Sequence, residues 1–289
     1  MNNDAKLKIK TTGVLIIVGT PIGNSMDLSS RGIKAFENAD LVLAEDTRVA
    51  KKLSKIRNFK IKKLISFNDF NENKKLFLVI KKIKAGNNVV LSSDAGMPLI
   101  SDPGYKLVNE CLKNDIMIDV IPGPSSIITA IVTSGLATNS FYFAGFPMKK
   151  KQARINSLSK LAEINTTIVW FESPKRILSF LNELVVVFGN RRVVIARELT
   201  KLYQEILRDD LVSLISQLEN KAPLKGECVV LIEGNKDLNI KKIDDNVLNK
   251  INILLKTKSV RSVVKILVEE TNLPKKLIYN EVLKVKDNK

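Results

Sequence analysis

Five short strand candidates, Val14–Val18, Leu41–Ala44, Lys63–Ser66, Val89–Ser92 and Ile118–Ile121, divide the first half of the chain, and helical patterns such as LSSRGIKAFENA and NKKLFLVIKKIKAG separate them. Runs this short read as buried strands, while apolar positions recurring every three or four residues read as one face of a helix. Strand and helix in strict alternation leave few architectures open, because parallel strands need crossovers and helices supply them; an α/β fold with a mainly parallel sheet follows. Gly86 is placed to stop the second of those helices. After IPGPSS the pattern changes. Phe141–Ala144, Thr167–Phe171, Val193–Ala196, Tyr203–Leu207 and Cys228–Ile232 are strand candidates with fewer helices between them, and RVVIARELTKLYQEIL reads as a hairpin, so a mixed sheet is expected.

From Asn235 the chain turns polar and then carries three helical patterns, VLNKINILLKT, SVRSVVKILVEET and LPKKLIYNEVLKVK. The last two, with a tight turn at Thr271-Asn272, have the form of a helix-turn-helix: a nucleic-acid contact, or a helical pair that merely packs. The expected division of the 289 residues is therefore 1–123, a domain with a mainly parallel sheet, 124–234, a domain with a mixed sheet, and 235–289, a small helical extension.

Charge narrows the partners. With 47 Lys and Arg against 30 Asp and Glu the net charge is +17, a field that attracts polyanions, unless the lysines only reflect the habit of a genome. Nucleic acid is favoured over membrane headgroups, since no apolar run nears the ~18 residues of a span. Lysines precede an apolar stretch in MNNDAKLKIKTTGVLIIVG, but Gly13 to Gly19 is shorter than a secretory core; the reading is a first strand in a cytoplasmic protein. Cys111 and Cys228 lie far apart without metal spacing, which suits reduced, buried thiols. The chain has no histidine, so Ser-His-Asp and Cys-His nucleophile systems, histidine zinc sites and histidine bases are excluded. No metal site is expected, and any catalysis falls to carboxylates, lysines, hydroxyls and backbone.

Several loops following the strand candidates are shaped by Gly and Pro. LSSDAGMPLISDPG, Leu91 to Gly104, holds two glycines, two prolines, Asp94 and Asp102, more punctuation than a plain turn requires, and such loops at strand carboxyl ends are where open α/β sheets place ligands. VGTPIGN is neither a P-loop nor a GxGxxG fingerprint, which argues against nucleotide hydrolysis and a Rossmann cofactor. AEDTRVAKKL sets Glu45, Asp46 and Arg48 at a helix start, where Asp46 or Thr47 caps the helix or the carboxylates and arginine grip a polar substrate. In IPGPSSIITA, Ser125 or Ser126 can cap the next helix, whose amino terminus can also hold a carboxylate. Glu172, Lys175 and Arg176 of FESPKR are a functional cluster or a surface ion-pair group, and Lys149 and Lys150 of FPMKKKQAR are a solvated face or a phosphate contact.

Taken in order and spacing, VGTPIGN, AEDTR, SDAGMPLISDPG, PGPSS, FESPKR, ARELTK and GECVVLIEG resemble the signature set of the tetrapyrrole-methylase superfamily, and within it the branch that methylates small-subunit ribosomal RNA; the resemblance spans residues 13 to about 234. It implies two α/β domains with a cofactor cleft between them, S-adenosylmethionine as methyl donor, and a homodimer. The implied reaction is 2′-O-methylation of a cytidine ribose in the decoding region of 16S rRNA, with that RNA or the small ribosomal subunit as partner. Ser93, Asp94, Ala95, Gly96, Pro98, Leu99 and Ile100 would then wrap the methionine part of the donor, with Pro21, Ser125, Ser126, Gly226 and Glu227 lining the same cleft. An in-line displacement at a sulfonium methyl depends mainly on positioning, helped by a carboxylate that accepts the hydroxyl proton. Asp46 comes first for that role, then Glu45 and Glu172, with Arg48, Lys149, Lys150, Lys175 and Arg176 on phosphates. Two stretches depart from the family pattern: NDFNE, Asn68 to Glu72, and Lys175 stand where histidines are common, so no histidine base serves here. Two alternatives stay open, a small-molecule tetrapyrrole methylase and a catalytically impaired RNA-binding assembly protein.

Overall fold

Strands β1 (Leu15–Val18), β2 (Leu41–Ala44), β3 (Leu64–Ser66), β4 (Val89–Ser92) and β5 (Ile118–Ile121) pair in parallel in the order β3-β2-β4-β1-β5. The chain steps outward from β1 to β2 to β3 and then returns through β4 to β5, so right-handed crossovers must put the first two helices on one face and the next two on the other. The packing agrees. Phe36 of α1 (Ser30–Asn38) and Leu53 of α2 (Thr47–Ile56) join a core with Val18, Val42 and Val90, while Val79 and Ile83 of α3 (Glu72–Lys84) and Leu107 of α4 (Tyr105–Lys113) join one with Leu15, Leu43 and Leu91. A sheet covered on both faces explains why β2 and β4 are buried at every position and read as continuous apolar runs in the sequence. These residues belong to a computed structural model, which describes 12–236, 243, 245–271, 273 and 275–287.

The second sheet, β6 (Phe141–Phe143), β7 (Thr167–Glu172), β8 (Arg192–Arg197), β9 (Glu205–Asp210) and β10 (Cys228–Ile232), has the order β6-β7-β10-β8-β9. Only β6 and β7 run parallel; the other neighbours are antiparallel, so the sheet is mixed as the sequence predicts. On one face α5 (Ser126–Ser134) lays Ile127, Ala130 and Ile131 against Val169, Val194, Val229 and Leu231. On the other, Trp170 meets Phe180 and Phe188 of α7 (Ile177–Phe188) edge-on at 5.6 and 6.1 Å. With α6 (Lys151–Leu161), α7 and α8 (Leu211–Glu219) in place, helices are scarcer than in the first half only at the β8–β9 turn.

β9 begins two residues later than expected from Tyr203. The Thr200 amide donates to Gln204 Oε1 at 2.7 Å, which keeps the intervening residues in a turn, and the strand runs on to Asp210, whose carboxylate caps α8 at the Ser213 amide.

Both sheets fall in one compact unit, up to Ser159 and again from Thr166 to Glu233; Lys160–Asn165 and the chain from Gly234 form a second. In the second unit α9 (Asp245–Leu254), α10 (Val260–Thr271) and α11 (Lys275–Asp287) share a core of Ile251, Val263, Leu267, Ile278 and Val282. Of the tight turn expected at Thr271-Asn272, Asn272 lies outside the described residues. Among the described residues no helix is long and apolar enough to cross a membrane.

Candidate active site

Neighbouring strands β1 and β4 lead into helices on opposite faces of the first sheet, and between their carboxyl ends such a sheet leaves a crevice. Two loops meet there. The Thr20 amide donates to Gly96 O at 2.8 Å and the Gly96 amide returns a bond to Thr20 O at 3.0 Å, while Thr20 Oγ1 donates to Ser93 O at 3.2 Å. Gly96 sits at φ +84°, where a side chain would strain the backbone. Gly19 and Gly123 bring the loops after β1 and β5 together, and a Cβ on Gly123 would lie 2.8 Å from Gly19 backbone atoms.

Beside these loops is a cavity of about 330 Å³. The first sheet supplies Ile22, Ala95, Gly96, Met97, Ile100 and Asp102 to its wall, and the start of α5 supplies Ser125, Ser126 and Ile127. From the second sheet come Phe171, Ala196 and Val229, flanked by Phe146, Glu172, Gly226 and Glu227. Mostly apolar walls with a few convergent polar groups, at this volume, suit a small molecule with one flat apolar part and one polar end.

Eight of the residues expected from the sequence lie on this wall: Ala95, Gly96, Ile100, Ser125, Ser126, Gly226, Glu227 and Glu172. Pro21, Ser93, Asp94, Pro98 and Leu99 belong to the same loops but are not part of the wall, nor are Glu45, Asp46 and Arg48 after β2. Lys149, Lys150, Lys175 and Arg176 are outside the lining too, although Lys149 and Lys150 follow Phe146 within four residues and Arg176 reaches it through Glu172. Sequence reasoning missed the apolar wall, Ile22, Met97, Phe146, Phe171, Ala196 and Val229, because each reads as ordinary core. Asp102 was visible only as a turn residue; its signal is the repeated Ser-Asp in SDAGMPLISDPG.

The carboxylates around the site differ in what holds them. Asp46 caps α2 at the Arg48 amide (2.8 Å) and receives the Arg48 guanidinium at 2.6 Å, so the side chain and backbone of Arg48 hold it down to about 2. Asp94 Oδ1 accepts the Asp46 amide at 2.9 Å, tying the loops after β2 and β4. Burial raises both Glu45 and Asp94, with Asp94 adding repulsion at Glu45 and Asp46 adding it at Asp94. For Asp102 burial pushes the carboxyl up to about 6, reinforced by Glu45 and opposed by a hydrogen bond from Ser93.

Glu172 is no surface ion pair. Its side chain is 2% exposed, and Oε1 accepts the Ser173 amide at 2.6 Å and both Nε and Nη2 of Arg176 at 2.8 and 2.6 Å. Glu172→Ala would leave these donors unmatched at the end of β7; a destabilisation of about 2 kcal/mol is expected, read as a lower urea midpoint with an unchanged slope. Lys201 pairs with Glu198 at 2.8 Å and Glu227 at 3.0 Å, and the Lys201 ammonium together with the Glu227 amide, which donates to Glu198 Oε1 at 2.9 Å, holds the Glu198 carboxyl below its ordinary value. Among the described residues no His, Cys, Asp and Glu cluster is arranged for a metal ion.

Comparison with known proteins agrees with this architecture. The family model for Tetrapyrrole (Corrin/Porphyrin) Methylases matches residues 14–215. A Thermotoga maritima protein named Ribosomal RNA small subunit methyltransferase I is 46% identical over 226 residues, 78% of this chain and 100% of that one. A Vibrio cholerae protein of the same name is 37% identical over 269 residues, 92% of this chain and 93% of the relative. Among solved structures, a uroporphyrin III C-methyl transferase from Thermus thermophilus, complexed with S-adenyl homocysteine, shares 17% identity at a TM-score of 0.54, covering 76% of this chain and 97% of that one. A cobalt precorrin-4 methyltransferase shares 18% at 0.55, covering 76% and 94%. The loops after β1, β4 and β5, the cavity they border and these likenesses together show that the chain belongs to the tetrapyrrole methylase family, in its ribosomal RNA small subunit methyltransferase I branch.

Proposed function

We propose that this protein transfers the methyl group of S-adenosylmethionine to the 2′-hydroxyl of a cytidine ribose in the decoding region of 16S rRNA. The observation that carries the reading is the cavity at the β1/β4 crevice, in a chain 46% identical to a relative named for methylating small-subunit rRNA. Gly96, Gly19 and Gly123 let backbone approach closely, the apolar wall of Phe171, Ala196 and Val229 suits an adenosine, and Ser125 and Ser126 offer polar contacts at a helix start, so the residues present fit the donor. Bound there, S-adenosylmethionine supplies an already activated sulfonium methyl. What the protein adds is placement: an acceptor oxygen held at about 3 to 3.5 Å in line with that methyl.

A net charge of +17 supports an RNA substrate, with Arg48, Lys149, Lys150, Lys175 and Arg176 as phosphate contacts and the α10–α11 pair as a second basic surface. In this reading the stretches 1–123 and 124–234 each supply one wall, and the working form is a cytoplasmic homodimer.

Purified protein, small ribosomal subunits and labelled donor test this. One new 2′-O-methylated cytidine in 16S rRNA is expected, and RNA affinity should fall by about 10³ or more between 50 and 200 mM salt if six or more phosphates are contacted. Labelling of a tetrapyrrole instead, or of nothing, would overturn the proposal.

A further inference from the structure

We propose that Asp102 is the carboxylate that takes the proton from the acceptor hydroxyl, an assignment that rests on the methyl-transfer reading above. Three acidic side chains line the cavity, Asp102, Glu172 and Glu227. Two are already engaged. Glu172 is held by Arg176 and the Ser173 amide, and Glu227, whose side chain is 75% exposed, pairs with Lys201. Asp102 makes no ion pair with any described lysine or arginine; the one group that favours its charged form is the Ser93 hydroxyl, a neutral donor that leaves the charge in place. The acids outside the lining are worse placed. Asp46 is spent on Arg48 and the α2 cap, and Glu45 lies outside the lining.

Backbone conformation gives a second, independent reason. Leu99 and Ser101 both adopt left-handed φ, at +72° and +68°, and neither is glycine. Non-glycine residues in that region cost free energy and persist where the surroundings over-determine them, commonly where a group is being aimed. Here the strained pair turns the chain immediately before Asp102, which lines the cavity.

The step balances simply. The 2′-oxygen gives an electron pair to the methyl carbon, the carbon–sulfur bond breaks with its pair remaining on the sulfonium sulfur, and the hydroxyl proton passes to the Asp102 carboxylate. Products are the 2′-O-methyl ribose, neutral S-adenosylhomocysteine and a protonated Asp102 that returns its proton to water. Facing Asp102 are Ser93 and Asp94 on its own loop, Glu45 after β2 and Asp69 after β3. Burial and these acids leave it titrating at about 6, charged at neutral pH and a better proton acceptor than a free carboxylate.

Single-turnover transfer to small subunits at saturating donor tests the assignment over pH 5 to 8. For the wild type the rate should rise about tenfold per unit up to about pH 6 and then level. Asp102→Asn should bind S-adenosylhomocysteine within about threefold of wild type by calorimetry, transfer about 10²- to 10⁴-fold more slowly, and lose the rising limb. Asp102→Glu should keep the limb and part of the rate. Transfer by Asp102→Asn within threefold of wild type overturns the assignment. So does a flat wild-type profile between pH 5 and 7, which needs no variant to fold. So does an Asp102→Asn protein with native circular dichroism that no longer binds S-adenosylhomocysteine, since Asp102 would then hold the donor. Wild-type protein that binds the donor but labels no rRNA overturns the methyl-transfer reading itself, and the assignment falls with it.

Discussion

Gly123→Val is expected to remove donor binding while leaving a folded protein. An added Cβ at this position meets the carbonyl carbon, Cα and oxygen of Gly19 at 2.8 Å, all of them backbone atoms that cannot swing aside as the tip of a long side chain can. Relief has to come from separating the loops after β1 and β5. Gly19 is followed by Thr20, whose two main-chain bonds to Gly96 align the β1 loop with the β4 loop, so the displacement passes straight to the cavity wall. Overpacking of this kind costs about 1–3 kcal/mol of stability. The effect on the donor should be far larger in proportion, at least about 10²-fold in the calorimetric Kd of S-adenosylhomocysteine, because a displacement of about 1 Å in a site defeats its contacts all at once. Wild-type affinity in this variant would show that the glycine contact does not shape the site.

The second large effect is expected in stability. Arg154 of α6 and Glu183 of α7 form a two-pronged pair, Nε to Oε2 at 2.6 Å and Nη2 to Oε1 at 2.7 Å, with side chains only 13% and 11% exposed. The third nitrogen of the same guanidinium donates to the carbonyls of Met148 and Lys149 at 2.8 and 3.0 Å, so one buried cation joins two helices to the basic loop beside Phe146. Glu183→Ala leaves the Arg154 charge without its counter-ion and without a path to water. Breaking a buried pair from one side costs about 3–5 kcal/mol, and at about 2–4 °C per kcal/mol for a chain of this size Tm should drop by roughly 10 °C. RNA affinity should weaken along with it, since Lys149 would lose its anchored carbonyl, while donor affinity changes little. A Tm within 2 °C of wild type would mean that the pair is solvated in practice.

Both predictions rest on residues with very different visibility in the sequence. Central strands were legible because burial on both faces leaves uninterrupted apolar runs: Leu41–Ala44, Val89–Ser92 and Cys228–Ile232 have the bounds read from the sequence, as does the half-exposed edge strand Ile118–Ile121. β9 was blurred because its side chains are only half-buried and mixed in polarity, so the pattern has no contrast at Glu205–Asp210. In the site, Gly96, Ser125 and Glu172 carry chemistry that a loop or helix start advertises. Phe171, Ala196 and Val229 do not, since a residue lining a cavity and one filling a core have the same composition; only the register of β7, β8 and β10 turns them toward α5. Asp46 shows the opposite failure. Its position beside Arg48 suggested reactivity, yet the two side chains satisfy each other. Adjacency in sequence does not tell which partner a carboxylate has already taken.

The place of β10 has a consequence for how the molecule is made. This strand lies third of five in its sheet, between β7 and β8, although it is the last of them to leave the ribosome. A nascent chain can close the parallel sheet once Ile121 has emerged, whereas β7 and β8 have no partner in common until Ile232 follows more than a hundred residues later. Synthesis therefore passes through an interval in which the β6–β7 and β8–β9 pairs can form but nothing yet joins them, and it is in that window that chaperones, or a premature stop before Cys228, would decide its fate.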